Sequence, residues 1–123
     1  MDFKLELVPI PVADVDRAKA FYAGQAGFHV DHDMTFGGTR VVQLTPPGSQ
    51  CSIMVSSGVI TSAPGSAQAL HLVVADIHAA RAELLERGVD VADVVEMKAE
   101  GKPTVRYAWF SDPDGNTWTL QAM

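Results

Sequence analysis

The chain has 123 residues, 47% of them hydrophobic, with 15 acidic side chains against nine basic ones and a net charge of −6. That length fits one domain with a sizeable core, and the acidic balance argues against nucleic acid or an anionic membrane surface as partner. The single cysteine, Cys51, rules out an internal disulfide, and no apolar run approaches a membrane span. No basic stretch followed by an apolar run opens the chain, so no signal peptide is expected and a cytoplasmic location is.

Residues 3–12 alternate as a first strand, with Leu5, Leu7, Pro9 and Pro11 on one face and Val8, Ile10 and Val12 on the other. Its two prolines cannot donate ladder hydrogen bonds, which predicts a poorly paired edge. Asp14 is an N-cap for a helix whose stripe is Val15, Ala18, Phe21 and Tyr22, and Gly24 and Gly27 end it. Strands follow at 28–34, 39–45 and 50–56, separated by Gly37-Gly38 and by Pro46-Pro47-Gly48. His29 and His32 stand three apart on the first of these strands and are expected on opposite faces.

Residues 57–68, rich in Ser, Gly, Ala and Pro, form a linker. The pattern then repeats: a strand at 69–75, the N-cap Asp76, a helix stripe of Ile77, Ala80, Leu84 and Leu85, and strands at 89–97, 104–111 and 116–121. Three ordered echoes stand roughly 60 residues apart. They are Val12-Ala13-Asp14 with Val74-Ala75-Asp76, Gly27-Phe28 with Gly88-Val89, and Thr45-Pro46-Pro47-Gly48 with Asp112-Pro113-Asp114-Gly115. The chain therefore reads as a single α+β domain of two βαβββ modules, 1–56 and 69–123, and the family that these motifs resemble implies curved mixed sheets around a cleft.

Strand alternation gives that cleft a lining. If the turn after Thr45 closes an even loop, Val41 and Gln43 share a face with Gln50, Ser52 and Met54. By the same logic Arg106, Ala108 and Phe110 join Thr117, Thr119 and Gln121, with Tyr107 and Trp109 on the far side. The first strands add Leu7, Ala69 and His71. This mostly apolar lining suits a medium-sized organic ligand, with Gln43, Gln50, Gln121 and His71 fixing its orientation. Equally, the same residues could fill a collapsed cup or a dimer contact. Ser52 and His71 are a conceivable nucleophile and base, but no carboxylate is expected on the cup to orient that His, so His71 as a lone acid/base is the best catalytic candidate, with Arg106 available to an anion. Cys51 is expected to face the core.

The two βαβββ units, the opening Leu7 to Asp14 with Phe21-Tyr22, and the closing Asp112-Pro113-Asp114-Gly115-Asn116 hairpin resemble the vicinal oxygen chelate superfamily. Its members include glyoxalase I, extradiol dioxygenases, fosfomycin-resistance enzymes and bleomycin-binding proteins. The resemblance implies metal ligands seven residues before each helix-capping Asp and four after each turn glycine. Those positions hold Leu7, Ala69, Ser52 and Thr119. Leu and Ala offer no donor atom, and uncharged hydroxyls are weak ligands, so no metal and no cofactor is expected. The resemblance then implies a metal-free homodimer that binds or sequesters an antibiotic or related natural product. A metal-independent isomerase, lyase or cyclase acting on a carbonyl or enol substrate is the alternative.

Overall fold

The computed structural model describes residues 1–123 and contains two four-stranded mixed sheets of identical strand order. The first sheet is β1 (Leu7–Pro9), β4 (Ser52–Ser56), β3 (Thr39–Thr45) and β2 (His29–Phe36), in that spatial order. The second is β5 (Leu70–Val73), β8 (Thr117–Ala122), β7 (Val105–Ser111) and β6 (Val95–Met97). In each, the first strand runs parallel to the last and the other pairs are antiparallel. The sheets do not close on each other.

Both predicted caps form. Asp14 accepts from the Arg17 backbone N–H at 3.1 Å and Asp76 from that of Ala79 at 3.1 Å, opening α1 (Val15–Lys19) and α2 (Ile77–Glu86). Helix α1 continues through a wider π-helical stretch, Ala20–Gln25. Strand β1 keeps only three residues at the sheet edge; its bonds to β4 run through the Glu6 carbonyl and the Ile10 N–H, so Pro9 and Pro11 fall on the unpaired side, as expected. Strand β6 is also shorter than expected: Val89 and Val91 are buried in irregular backbone, whose Val91 and Ala92 carbonyls accept from the Arg81 guanidinium.

One cluster of 19 buried apolar residues draws on both modules, so the two halves share a core. Val42, Leu44, Ile53 and Val55 come from the helix-bearing face of the first sheet; Ala108, Phe110, Trp118, Leu120 and Ala122 come from that of the second. Phe21, Tyr22 and Phe28 fill the space between, with Tyr22 edge-on to Trp118 at 5.7 Å and Phe28 stacked on Tyr22 at 5.7 Å.

A polar knot ties the modules. The Tyr22 hydroxyl donates to Asp112 Oδ2 at 2.7 Å and accepts from Trp118 Nε1 at 2.9 Å. Asn116 donates to Asp112 Oδ2 at 2.8 Å and to the Pro11 carbonyl at 2.8 Å. Burial and the neighbouring Asp112 carboxylate push the Tyr22 phenol well above its ordinary value. Asp112, Asp114 and Asn116 are thus engaged in holding the hairpin and the module junction. No helix is long and apolar enough to cross a membrane.

Candidate functional site

With the helices on one side of each sheet, the opposite faces are the candidate site. In module one, Leu7 pairs with Ser52, Pro9 with Met54, and Met54 with Gln43, so these side chains share the cup face as expected. The six residues between Thr45 and Ser52 form an even loop, which preserves the predicted parity. Gln50 is the exception: it sits exposed in that loop, ahead of β4, and is not carried onto the face by a strand.

In module two the parity of β7 is the reverse of the expected one. Ser111 pairs with Thr117, leaving five loop residues where an even number was assumed. Asp112 Oδ1 accepts from the backbone N–H groups of Asp114 and Asn116, both at 2.9 Å, and folds the odd loop tight. Trp109 therefore stands opposite Thr119 and Tyr107 opposite Gln121, on the face that also holds His71 and Val73. Phe110 turns into the core, 4% exposed and stacked on Trp118 at 6.1 Å. Arg106 likewise leaves the cup side and donates to Glu96 at 3.1 Å, lowering the Glu96 carboxyl pKa.

The result is an aromatic wall. Tyr107 and Trp109 stack at 6.2 Å, and His71 meets Tyr107 edge-on at 6.5 Å. His71 Nδ1 donates to the Ala69 carbonyl at 2.7 Å, since a carbonyl can only accept. When the ring is neutral, its Nε2 is thereby left as the acceptor. Ala69 holds the one left-handed non-glycine conformation, φ 56°, while its N–H donates to Thr117 Oγ1 at 2.7 Å. Such backbone strain is a mark of functional segments.

A second feature departs from the expected pattern. Strand β2 carries a bulge between Val30 and His32, so Asp31 is an extra residue. His29 pairs with Thr45 and His32 with Gln43, which puts both histidines on the cup face and not on opposite faces. Asp31 accepts from Thr45 Oγ1, and Thr45 Oγ1 lies 2.6 Å from Ser52 Oγ. A carboxylate thus reaches the cup side after all. Cys51 is half-buried in the loop before β4 rather than in the core.

The positions that would grip a divalent ion hold Leu7, Ser52, Ala69 and Thr119, and these do not fit one. No three His, Cys, Asp or Glu side chains gather as ligands anywhere in the fold. A separate groove of about 560 Å³ runs between residues 26–28, residues 46–49 and α2. Its walls, including Phe28, Leu84 and the Glu83–Arg87 pair, lie on the helix side, and it touches the cup side only at His71 and Val73.

This geometry matches known proteins. The model of the glyoxalase/bleomycin resistance protein/dioxygenase superfamily matches residues 4–120. The chain belongs to that superfamily. Among solved structures, this superfamily member is similar to TnmS3, an antibiotic binding protein from Streptomyces sp. CB03234. Identity is 35%, coverage is 98% of this chain and 96% of that one, and the TM-score is 0.82. It also resembles a glyoxalase/bleomycin resistance protein from the same Streptomyces strain, with 36% identity, coverage of 95% and 98%, and a TM-score of 0.78. UcmS2 is 29% identical over 98% of both chains, with a TM-score of 0.81. No protein of curated function matches.

Proposed function

We propose that this protein is a metal-free, cytoplasmic small-molecule-binding protein that holds an antibiotic or related natural product in a cleft between cup faces. The observation that carries this is the pairing of an aromatic wall, half-buried Tyr107 and exposed Trp109, with ligand positions that hold Leu, Ser, Ala and Thr. Leu7, Gln43, Met54, His71 and Gln121 complete the lining on strand register, with Thr119 on the same register but buried. The likeness to TnmS3 supports the class of ligand.

The cleft is completed by a second copy of the chain. Every large apolar side chain that is both exposed and borne by a strand lies on a cup face: Met34, Phe36, Val73, Val95, Met97 and Trp109. An apolar area of that extent calls for a partner. Two such faces brought together exclude water and enclose a ligand.

The test is calorimetric titration with a panel of aromatic and glycopeptide antibiotics, alongside metal analysis and sedimentation. A saturable binder, a dimer and less than stoichiometric metal are the expected results. A divalent ion bound one per chain, or no binder in the panel, overturns the reading. The free Nε2 of His71 favours one further reading, a metal-independent isomerase, lyase or cyclase with that nitrogen as acid/base. Under that reading His71→Ala abolishes turnover of a carbonyl or enol substrate while leaving the fold intact; retained turnover removes it.

A further inference from the structure

The charges borne by the strands are unevenly placed. Asp33, Arg40, Glu96 and Arg106 all lie on helix-side registers, and each is paired: Asp33 with Arg40 at 2.9 Å and Lys19 at 2.7 Å, Glu96 with Arg106 at 3.1 Å. The cup faces carry neither Lys nor Arg on any strand. Their one carboxylate is Asp31, placed there by the bulge, and its nearest titratable neighbour is the exposed His29, with Nε2 3.8 Å away.

The hydroxyls around Asp31 have a fixed direction. Thr45 has one hydroxyl hydrogen and spends it on Asp31 Oδ2. In the 2.6 Å contact with Ser52, the hydrogen must then come from Ser52. The chain runs Ser52 to Thr45 to Asp31, with both hydrogens turned toward the carboxylate. What remains for a ligand is acceptor only: Asp31 Oδ1, which has His29 Nε2 3.8 Å away as its one protein neighbour, while Ser52 itself is buried. Asp31 is one-quarter exposed, so it is screened from bulk water without being sealed from a bound molecule.

We infer that Asp31 is a specificity-determining residue, and that the cleft selects aromatic ligands bearing a cationic amine. This rests on the proposed function above, in which the cup faces bind an aromatic natural product. The aromatic wall supplies contact area without choosing charge; Asp31 chooses it, because a buried ammonium finds its only counter-charge there.

Daunorubicin, a flat aromatic antibiotic with an amino sugar, and N-acetyldaunorubicin, which lacks the charge, are titrated by calorimetry into the full chain at low and moderate salt. The expected result is a preference of about tenfold for the amine, shrinking as salt rises. Asp31→Asn abolishes the preference, whereas Glu86→Gln, an equal charge loss on the exposed side of α2, preserves it. Equal binding of the two probes by the unmodified protein overturns the inference and leaves the reading of the cleft standing. A preference that survives Asp31→Asn also overturns it. Binding of neither probe overturns the inference, and the antibiotic panel then decides the reading of the cleft separately. The probe comparison on the unmodified protein decides the matter even where a variant folds poorly.

Discussion

Replacing Tyr22 with Phe removes one oxygen at the junction of the two modules. That oxygen donates to Asp112 at 2.7 Å and accepts from Trp118 Nε1 at 2.9 Å, and all three residues are buried. Losing a hydrogen bond to a carboxylate costs about 1.5–3 kcal/mol, and orphaning the buried indole N–H costs about 1–3 kcal/mol. Asp112 keeps three other donors, from Asn116 Nδ2 and the N–H groups of Asp114 and Asn116, so its share falls at the low end. The total is about 3 kcal/mol, a large part of the roughly 5–15 kcal/mol that holds a domain folded. The assay is urea unfolding followed by Trp fluorescence at one fixed protein concentration, with a melting temperature lowered by roughly 10 °C as the parallel readout. In a double-mutant cycle, Trp118→Phe should cost distinctly less in the Tyr22→Phe background, since its indole donor is already unpartnered there. A loss for Tyr22→Phe below about 1 kcal/mol, or strict additivity in the cycle, would refute the shared hydroxyl.

The same phenol gives an alkaline signature. Its folded pKa is raised above the unfolded value, so its contribution is full below about pH 10 and is lost as pH rises beyond that. The stability gap between unmodified protein and Tyr22→Phe should therefore narrow above pH 10 in urea titrations. At the acid end the sign is opposite. Hydrogen bonds from Arg40, then Lys19, hold the Asp33 carboxyl well below the usual range, so its contribution exists above about pH 4 and fades as pH falls. Asp33→Asn should flatten the acid limb of the urea midpoint. Phe110→Ala, in the core, should cost about 3–5 kcal/mol. Trp109→Ala, on the cup face and stacked on Tyr107, should cost less, about 1 kcal/mol, while lowering ligand affinity at least about tenfold; titration and melting of the pair separate the two faces of β7. Gly65→Ala places a Cβ 2.1 Å from the Asp114 carbonyl oxygen at φ 82°, so thermal melting should reveal a loss of about 2 kcal/mol or more.

Sequence alone determined the two-module plan. Helix caps, hydrophobic stripes and the Pro-Gly punctuation are local signals, and Asp14, Asp76 and the stripe through Val15, Ala18, Phe21 and Tyr22 act locally in the folded chain as well. The absence of donor atoms at Leu7 and Ala69 is equally plain from residue identity. What tertiary structure decided was facing. A strand's side chains alternate with period two, so one residue more or less in a loop or ladder exchanges the faces. The five-residue loop after Ser111 put Trp109 and Tyr107 outward and Phe110 inward, and it is set by the Asp112 carboxylate folding beneath its own turn and bonding to Tyr22 from the other module. The bulge at Asp31 brought a carboxylate to the cup through the Thr45 and Ser52 hydroxyls of neighbouring strands. Both choices depend on partners distant in the chain, which no local periodicity encodes.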